Sequence, residues 1–388
     1  MKFDFDKVVD RKNTGCFKHD ALTQLYGRDD LISLWVADMD FPAAPCIQEV
    51  LQKRLEHGIF GYNFRADSFF EAVQGWTSRR YGWEVEKDWM ITTPGVVPAI
   101  NLAVLTLTKP KDKILIQTPV YRPFFSAVED HDRCLLTNPL VNDNGYYRID
   151  KKDFEAKIRQ ASLFILCNPH NPVGRMFTEE ELSFMGDLCK RYNVPILSDE
   201  IHADIVYDGL QFRGLGSMKS YDDVLITCIS PSKSFNIAGF STAIAIVPNP
   251  KLRQKINDLH NSLHLFTGNT FGICALEAAY TCAEPWLEAL IQYLDGNRKY
   301  IKSYIDKHLP MLKVNLPEAG FLSWIDFSAL DMNDNDLFDF LTNKARVALD
   351  PGRKFGVDGS GFSRINFACP RSYLEEAMRR ISYAIKTR

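Results

Sequence analysis

Between residues 113 and 247 the chain repeatedly changes its hydrophobic period, and that alternation constrains the fold more than any other feature. Short apolar runs at 113–117, 133–137, 163–167, 195–198, 224–230 and 242–247 read as buried strands. Helix-length amphipathic segments separate several of them. The clearest covers 178–192, where Thr178 with Glu181 three residues later is a capping-box pattern and Leu182, Met185 and Leu188 share one apolar face. Strands alternating with helices predict an α/β fold: a mostly parallel central sheet flanked by helices on both faces.

After about Cys282 the pattern changes. Residues 284–308 read as one long helix, strand-like segments follow at 312–315 and 320–327, and further helices at 334–344 and 372–386. The expected division is a large α/β domain over 46–284 and a smaller α+β domain built from 1–45 and 285–388. A chain of 388 residues suits two such units.

Charge and composition narrow the partners. A net charge of −3 offers no basic footprint for nucleic acid. Asp4 and Asp6 stand where a signal peptide needs an apolar stretch, and the longest apolar runs, such as 243–247, have strand length. No membrane partner is expected, and the expected location is cytoplasmic. The nine cysteines are an odd number without a C-x-x-C pair; Cys167 and Cys228 sit in apolar runs and read as small core residues in a reducing compartment.

Ligands of open α/β sheets bind beyond the carboxyl ends of the strands. Here the run at 163–167 leads into Asn168-Pro169-His170-Asn171-Pro172-Val173-Gly174, and that at 195–197 into Ser198-Asp199-Glu200-Ile201-His202. The run at 224–229 leads into Ser230-Pro231-Ser232-Lys233-Ser234-Phe235-Asn236. Parallel strands bring Asn171, Asp199 and Lys233 to one rim. A lysine at the end of an apolar strand loses hydration, which lowers its pKa and leaves a neutral amine able to attack an aldehyde. Alone it reads more readily as a surface loop lysine; its neighbours decide. Asp199 needs a cationic or donor partner, such as a protonated pyridine nitrogen, although capping the following turn is the plainer role. His202 is placed either to donate to a phenolate or to bond backbone.

Gly95, in Thr92-Thr93-Pro94-Gly95-Val96-Val97-Pro98, opens a helical run, and a helix start offers free N–H groups to a phosphate. Ser230 and Ser232 add hydroxyls beside the lysine. Tyr121 follows the run at 113–117 and suits stacking on a flat ring or a place in the core. Arg364, in a strand-like segment, suits the α-carboxylate of an amino acid if it faces inward, or solvent if it does not. His260 and His264 have i, i+4 spacing, but no third ligand accompanies them and no metal is expected. No dinucleotide, nucleoside-triphosphate or G-x-S-x-G motif occurs.

Taken in order, the Gly95 loop, Tyr121, Asn171 to Gly174, Asp199 to His202, Ser230 to Lys233 and Arg364 resemble, from end to end, the fold-type I pyridoxal-phosphate enzymes of the aspartate aminotransferase superfamily. The resemblance implies pyridoxal 5'-phosphate bonded to Lys233, with Asn171 and His202 at its phenolic oxygen and Asp199 at its ring nitrogen. It implies Ser230 with Gly95, Val96 and Val97 at the phosphate. Tyr62, in Gly61-Tyr62-Asn63, is similar to the tyrosine that reaches the phosphate of the neighbouring subunit, so a homodimer is implied. Two departures stand out: Ser241 replaces the arginine that usually follows the lysine by eight residues, and His202 stands where a tyrosine is usual. Segments 232–239, 14–20 and 35–42 look instead like the cystathionine β-lyase and C–S lyase (cystalysin-like) subgroup. That likeness implies α,β-elimination from a sulfur-containing amino acid to thiol, pyruvate and ammonia. An aminotransferase using an α-amino acid and a 2-oxo acid is the alternative, and a regulatory protein that retains the site is a third.

Overall fold

The apolar runs assemble into one seven-stranded sheet. Its strands are β1 (Met90–Thr93), β2 (Lys113–Ile116), β3 (Cys134–Thr137), β4 (Leu163–Cys167), β5 (Ile196–Asp199), β6 (Leu225–Ile229) and β7 (Ala243–Ile246). Their spatial order is β1-β7-β6-β5-β4-β2-β3. Only β7 runs against its neighbours, and all the other pairings are parallel. This computed structural model describes residues 3–388; Met1 and Lys2, which the sequence assigns to the smaller domain, lie outside the described residues.

Strands β4, β5 and β6 are buried at every position, as their unbroken apolar runs demand of a sheet covered on both faces. The run at 133–137 is a strand but not a buried one. As β3 it lies at the sheet edge with Cys134 exposed, because only one neighbour covers it. Strand β1 escaped the sequence reading: it has four residues and only alternate ones are buried. The capping box is formed, with the Thr178 hydroxyl accepting from the Glu181 N–H at 3.2 Å and Glu181 accepting from the Thr178 N–H at 2.9 Å. Behind it, helix Glu179–Tyr192 buries Leu182, Met185 and Leu188, each contributing about 1.5–3 kcal/mol.

The C-terminal part builds a four-stranded antiparallel sheet from β8 (Lys313–Val314), β9 (Leu322–Asp326), β10 (Asp350–Pro351) and β11 (Phe362–Asn366), in the order β8-β9-β11-β10. Helix Glu284–His308 is continuous, as its uninterrupted apolar stripe requires, and the run at 334–344 is helical throughout, α over Asp334–Asp339 and π over Phe340–Lys344. The N-terminal segment crosses to this part of the chain. Ile32–Ser33 pairs in parallel with Val347–Ala348, and the N–H groups of Leu34 and Asp40 donate to Ala348 and Ala368 at 2.9 Å. One apolar cluster, with Phe5, Trp76, Ile244, Trp286, Ile325 and Ile381 among its members, runs from the large sheet into the smaller one.

His264 does not share a helix with His260. Helix Pro250–Ser262 ends before it, His264 has a left-handed φ of 53°, and the His260 Nε2 is hydrogen-bonded to Thr92 O at 2.7 Å. All nine cysteines are free thiols. Among the described residues no helix is long and apolar enough to cross a membrane.

Candidate active site

The carboxyl ends of β4, β5 and β6 deliver Asn171, Asp199 and Lys233 to the same edge of the sheet, as parallel strands must. Beyond β6 the chain turns through one short helical turn, Pro231–Ser234, so Lys233 is held by helical hydrogen bonding and is no loop residue. Its ammonium donates to the carbonyl of Ala37 at 2.6 Å. Burial and the nearby Arg364 push its pKa down to about 8, against the opposing pull of Asp38 and Asp199. A substantial neutral fraction at neutral pH follows.

Asp199 is buried and accepts the Ile201 N–H at 3.1 Å. Burial drives its carboxyl up to about 6, with the Ile201 N–H and Lys233 holding it from rising further. A carboxylate so placed gains strongly from a cationic partner. His202 is buried, and burial together with Lys233 and Arg364 pushes its imidazole down to about 3; it is neutral, and its Nδ1 has no hydrogen-bond partner.

Arg364, on β11, faces inward and is buried. It donates to Asn171 Oδ1 at 3.0 Å, to Trp35 O at 2.9 Å and to Asp350 Oδ2 at 2.8 Å, while its Nε is buried without a partner. Because Arg364 occupies the Asn171 carbonyl oxygen, the Asn171 amide nitrogen is left to donate elsewhere. Tyr121 caps helix Arg122–Glu129; burial raises its phenol pKa, with Arg364 opposing that rise and Asp199 adding to it. These electrostatic neighbours place it beside the same group.

Gly95 has φ +133°, a backbone conformation that side chains rarely adopt, and it opens helix Val96–Leu107. The N–H groups of Val96 and Val97 in that first turn have no intrahelical acceptor, which suits an anion. Ser232 stands half-buried beside Lys233, whereas the Ser230 hydroxyl already donates to Thr242 O at 2.7 Å and accepts the Ser232 N–H at 3.1 Å. Two positions do not join the group within one chain. Tyr62 is fully exposed, and Ser241, exposed with a left-handed φ of 45°, leaves no cation where an arginine would stand.

Sequence reasoning missed three parts of the site. The segment Trp35 to Asp38 supplies carbonyls to Arg364 and Lys233, and is itself gripped by Asn366, whose amide donates to Val36 O and Asp38 O at 2.5 Å. The third is Asp350, the carboxylate paired with Arg364. Backbone carbonyls carry no sequence signal. Asp350 does have one, since an inward arginine demands a buried anion, but its position in the chain is not deducible from spacing.

This geometry defines a site that joins a depressed lysine, a buried carboxylate and an inward arginine beneath a helix start. The chain belongs to the class I and II aminotransferase family, whose model matches residues 29–381. It is 40% identical over 384 residues to cystathionine beta-lyase PatB of Bacillus subtilis, covering 98% of this chain and 99% of that one. Among solved structures, cystalysin from Treponema denticola, which contains a pyridoxal 5'-phosphate cofactor, superposes with a TM-score of 0.97 at 34% identity, covering 100% of both chains. The pyridoxal-phosphate-bound C–S lyase from Staphylococcus hominis gives a TM-score of 0.93 at 33% identity, over 99% of this chain and 98% of that one.

The residues fit such a group on their own chemistry. Two buried polar atoms, His202 Nδ1 and Arg364 Nε, have no partner, Asp199 lacks a strong cation, and the Gly95 turn presents free N–H groups. No cluster able to hold a metal ion occurs among the described residues.

Proposed function

We propose that this protein is a pyridoxal-phosphate-dependent carbon–sulfur lyase of the cystathionine β-lyase type. It cleaves a sulfur-containing amino acid to a thiol, pyruvate and ammonia, with water consumed. The observation that carries the proposal is the convergence at one sheet edge of buried Asp199 and the Lys233 amine, whose pKa burial and the nearby inward Arg364 lower to about 8. Elimination is favoured over transamination by the likeness to lyases along the whole chain.

When bound, the cofactor supplies an electron sink that stabilises negative charge at the substrate Cα. The chain's residues do the rest. Lys233 would anchor the cofactor through its neutral amine and would take the substrate's Cα proton at Nζ. Asp199 would hold the ring nitrogen in its protonated form by offering a buried negative charge. Asn171, through its free amide nitrogen, and neutral His202 would hold the phenolic oxygen. Arg364 fixes the α-carboxylate, orienting the Cα–H bond towards Lys233. Gly95, Val96, Val97 and Ser232 would hold the phosphate, which Ser230 would reach only by giving up its bond to Thr242 O, and Tyr121 would pack on the ring. The C–S bond then breaks with its electrons leaving on sulfur.

The same proposal takes the lobes as 46–284 and 1–45 with 285–388, and the protein as a cytoplasmic homodimer in which Tyr62 reaches the partner's phosphate. Support for a second copy comes from a strip of exposed apolar side chains, Ile59, Phe60, Phe64, Leu263 and Phe266, on two segments tied by the Arg65 bond to Phe266 O. Borohydride treatment of the yellow holoenzyme should fix the cofactor to the peptide bearing Lys233, and Lys233→Ala should lose multiple turnover. A colourless protein that takes up no added pyridoxal phosphate would overturn the proposal.

A further inference from the structure

Two residues beyond His202 lies another buried carboxylate, Asp204, which neither cofactor nor substrate uses. It is 3% exposed. Its Oδ1 accepts the indole N–H of Trp76 at 2.9 Å and the hydroxyl of Tyr81, and its Oδ2 accepts the hydroxyl of Ser234 at 2.5 Å. All three donors are neutral; the side chain of Arg80 reaches only the Asp204 backbone carbonyl and pairs instead with Glu284 and Glu288. A buried carboxylate is costly unless well hydrogen-bonded, and three donors offset that cost.

Ser234 is the residue next to Lys233 and the last of its helical turn. Outside Asp204, the turn is tied by Ser230 to Thr242 O at 2.7 Å before it, and by Asn236 to Met39 O at 2.9 Å and Phe41 O at 2.7 Å after it. Asp204 is therefore the side-chain anchor adjoining Lys233. The anchor is rigid, because Trp76 is fully buried and stacks on Tyr280 with ring centroids 4.9 Å apart.

We propose that Asp204 and Ser234 are positioning residues for Lys233: the Asp204 carboxylate, fixed by the buried Trp76, holds the turn so that the lysine amine stays in its buried place beside Ala37 O. This rests on the assignment of Lys233 as the residue that bonds the cofactor and moves the Cα proton. Proton transfer from a tethered amine is sensitive to its placement, a displacement of about 1 Å costing up to about 100-fold in rate. Ser234→Ala removes the tie and adds no bulk.

The test compares Ser234→Ala with Tyr81→Phe, which removes a different donor from the same carboxylate without touching the turn. The first readout is the pH at which Lys233 of the full-length, cofactor-free protein is half-labelled by an acylating reagent, read by mass spectrometry. Arg364, Asp38 and Asp199 face that amine, and neither substitution changes them. In Ser234→Ala the midpoint should rise by about one pH unit as the amine gains hydration. In the holoenzyme kcat should fall by about 10- to 100-fold with KM within about twofold. Tyr81→Phe should lower the Tm and leave the labelling midpoint in place. An unchanged midpoint in Ser234→Ala, or an equal shift in both variants, would overturn the proposal. Should Lys233 not be the cofactor-bonding residue, borohydride fixation to its peptide fails already in the unsubstituted protein; failure of the clamp alone leaves that fixation intact.

Discussion

The ε-amine of Lys233 donates to the carbonyl oxygen of Ala37 across 2.6 Å, joining the turn after β6 to a segment near the N-terminus. That segment also accepts from Arg364 at Trp35 and from Asn366 at Val36 and Asp38. Two carboxylates on it are held in turn by Arg11 and Lys18: Arg11 bonds Asp38 at 2.8 Å and Asp40 at 2.7 Å, and fully buried Lys18 bonds Asp40 at 2.7 Å. The N-terminal strap thus closes one wall of the site and carries a negative charge, Asp38, into the field of the lysine.

The depressed lysine predicts how apoprotein takes up its cofactor. At pH 7.5 an ordinary lysine is only about 0.1% neutral, whereas a group at about 8 is roughly one-quarter neutral. Only the neutral amine attacks an aldehyde, so the recombination rate should climb about tenfold per pH unit below 7 and level off above about 8. Asp38 raises the lysine pKa, so Asp38→Asn should move that midpoint down. Stopped-flow absorbance across pH 6–10 measures both; a rate still climbing at pH 10 would place the amine in an ordinary environment.

Arg364→Ala separates substrate binding from cofactor binding. Truncating a buried, charged hydrogen-bonding partner costs about 2–5 kcal/mol, which is roughly 30-fold or more in kcat/KM. Cofactor content should be retained. The Tm should fall as well, because Asp350 loses its buried cation at 2.8 Å and keeps only Lys354, at 3.1 Å. An unchanged kcat/KM would show that the guanidinium makes no contact with substrate.

The strap can be loosened from outside the chemistry. Asn366 is fully buried, and Asn366→Ala leaves the carbonyl of Val36 without its side-chain donor and that of Asp38 with only the longer bond from Lys18, at 3.3 Å. Equilibrium unfolding should register a loss of about 1–3 kcal/mol. Because Ala37 sits between those two carbonyls, the loosened strap should also raise KM for substrate. A variant as stable as the parent would mean that Arg364, Arg11, Lys18 and the backbone pairing with Val347–Ala348 hold the strap without Asn366.

What was legible in the sequence follows from where the signals are local. The strands after which Asn171, Asp199 and Lys233 appear are continuous apolar runs because both faces are covered, and the Thr178–Glu181 cap is contained within four residues. Strand β1 was illegible because four half-buried residues make no period, and β3 looked buried because hydropathy does not distinguish an edge from a centre. The pairing of Arg364 with Asp350 and the grip of Asn366 on the strap join residues from separate elements, and the strap contributes carbonyls that every residue possesses. Tyr62 lies on the exposed apolar strip, so a single chain offers it no partner.

The reaction itself is tested by the leaving group. Elimination requires one on Cβ, whereas transamination requires only an α-amine and a 2-oxo acid acceptor. Both begin with Lys233 taking the Cα proton, so neither Lys233→Ala nor Arg364→Ala distinguishes them. Cystathionine or cysteine should yield pyruvate, ammonia and a thiol with no acceptor present. Alanine presents the same α-carboxylate to Arg364 and the same amine to the cofactor but has nothing to expel, and should turn over far more slowly. Position 241 bears on this only through phosphate anchoring: Ser241→Arg should tighten cofactor binding without changing the ratio of thiol to 2-oxo acid products. Measuring pyruvate and thiol with and without added 2-oxoglutarate decides the matter. Alanine or aspartate with 2-oxoglutarate outpacing every thioether substrate would make the protein an aminotransferase, with Lys233 still at its centre.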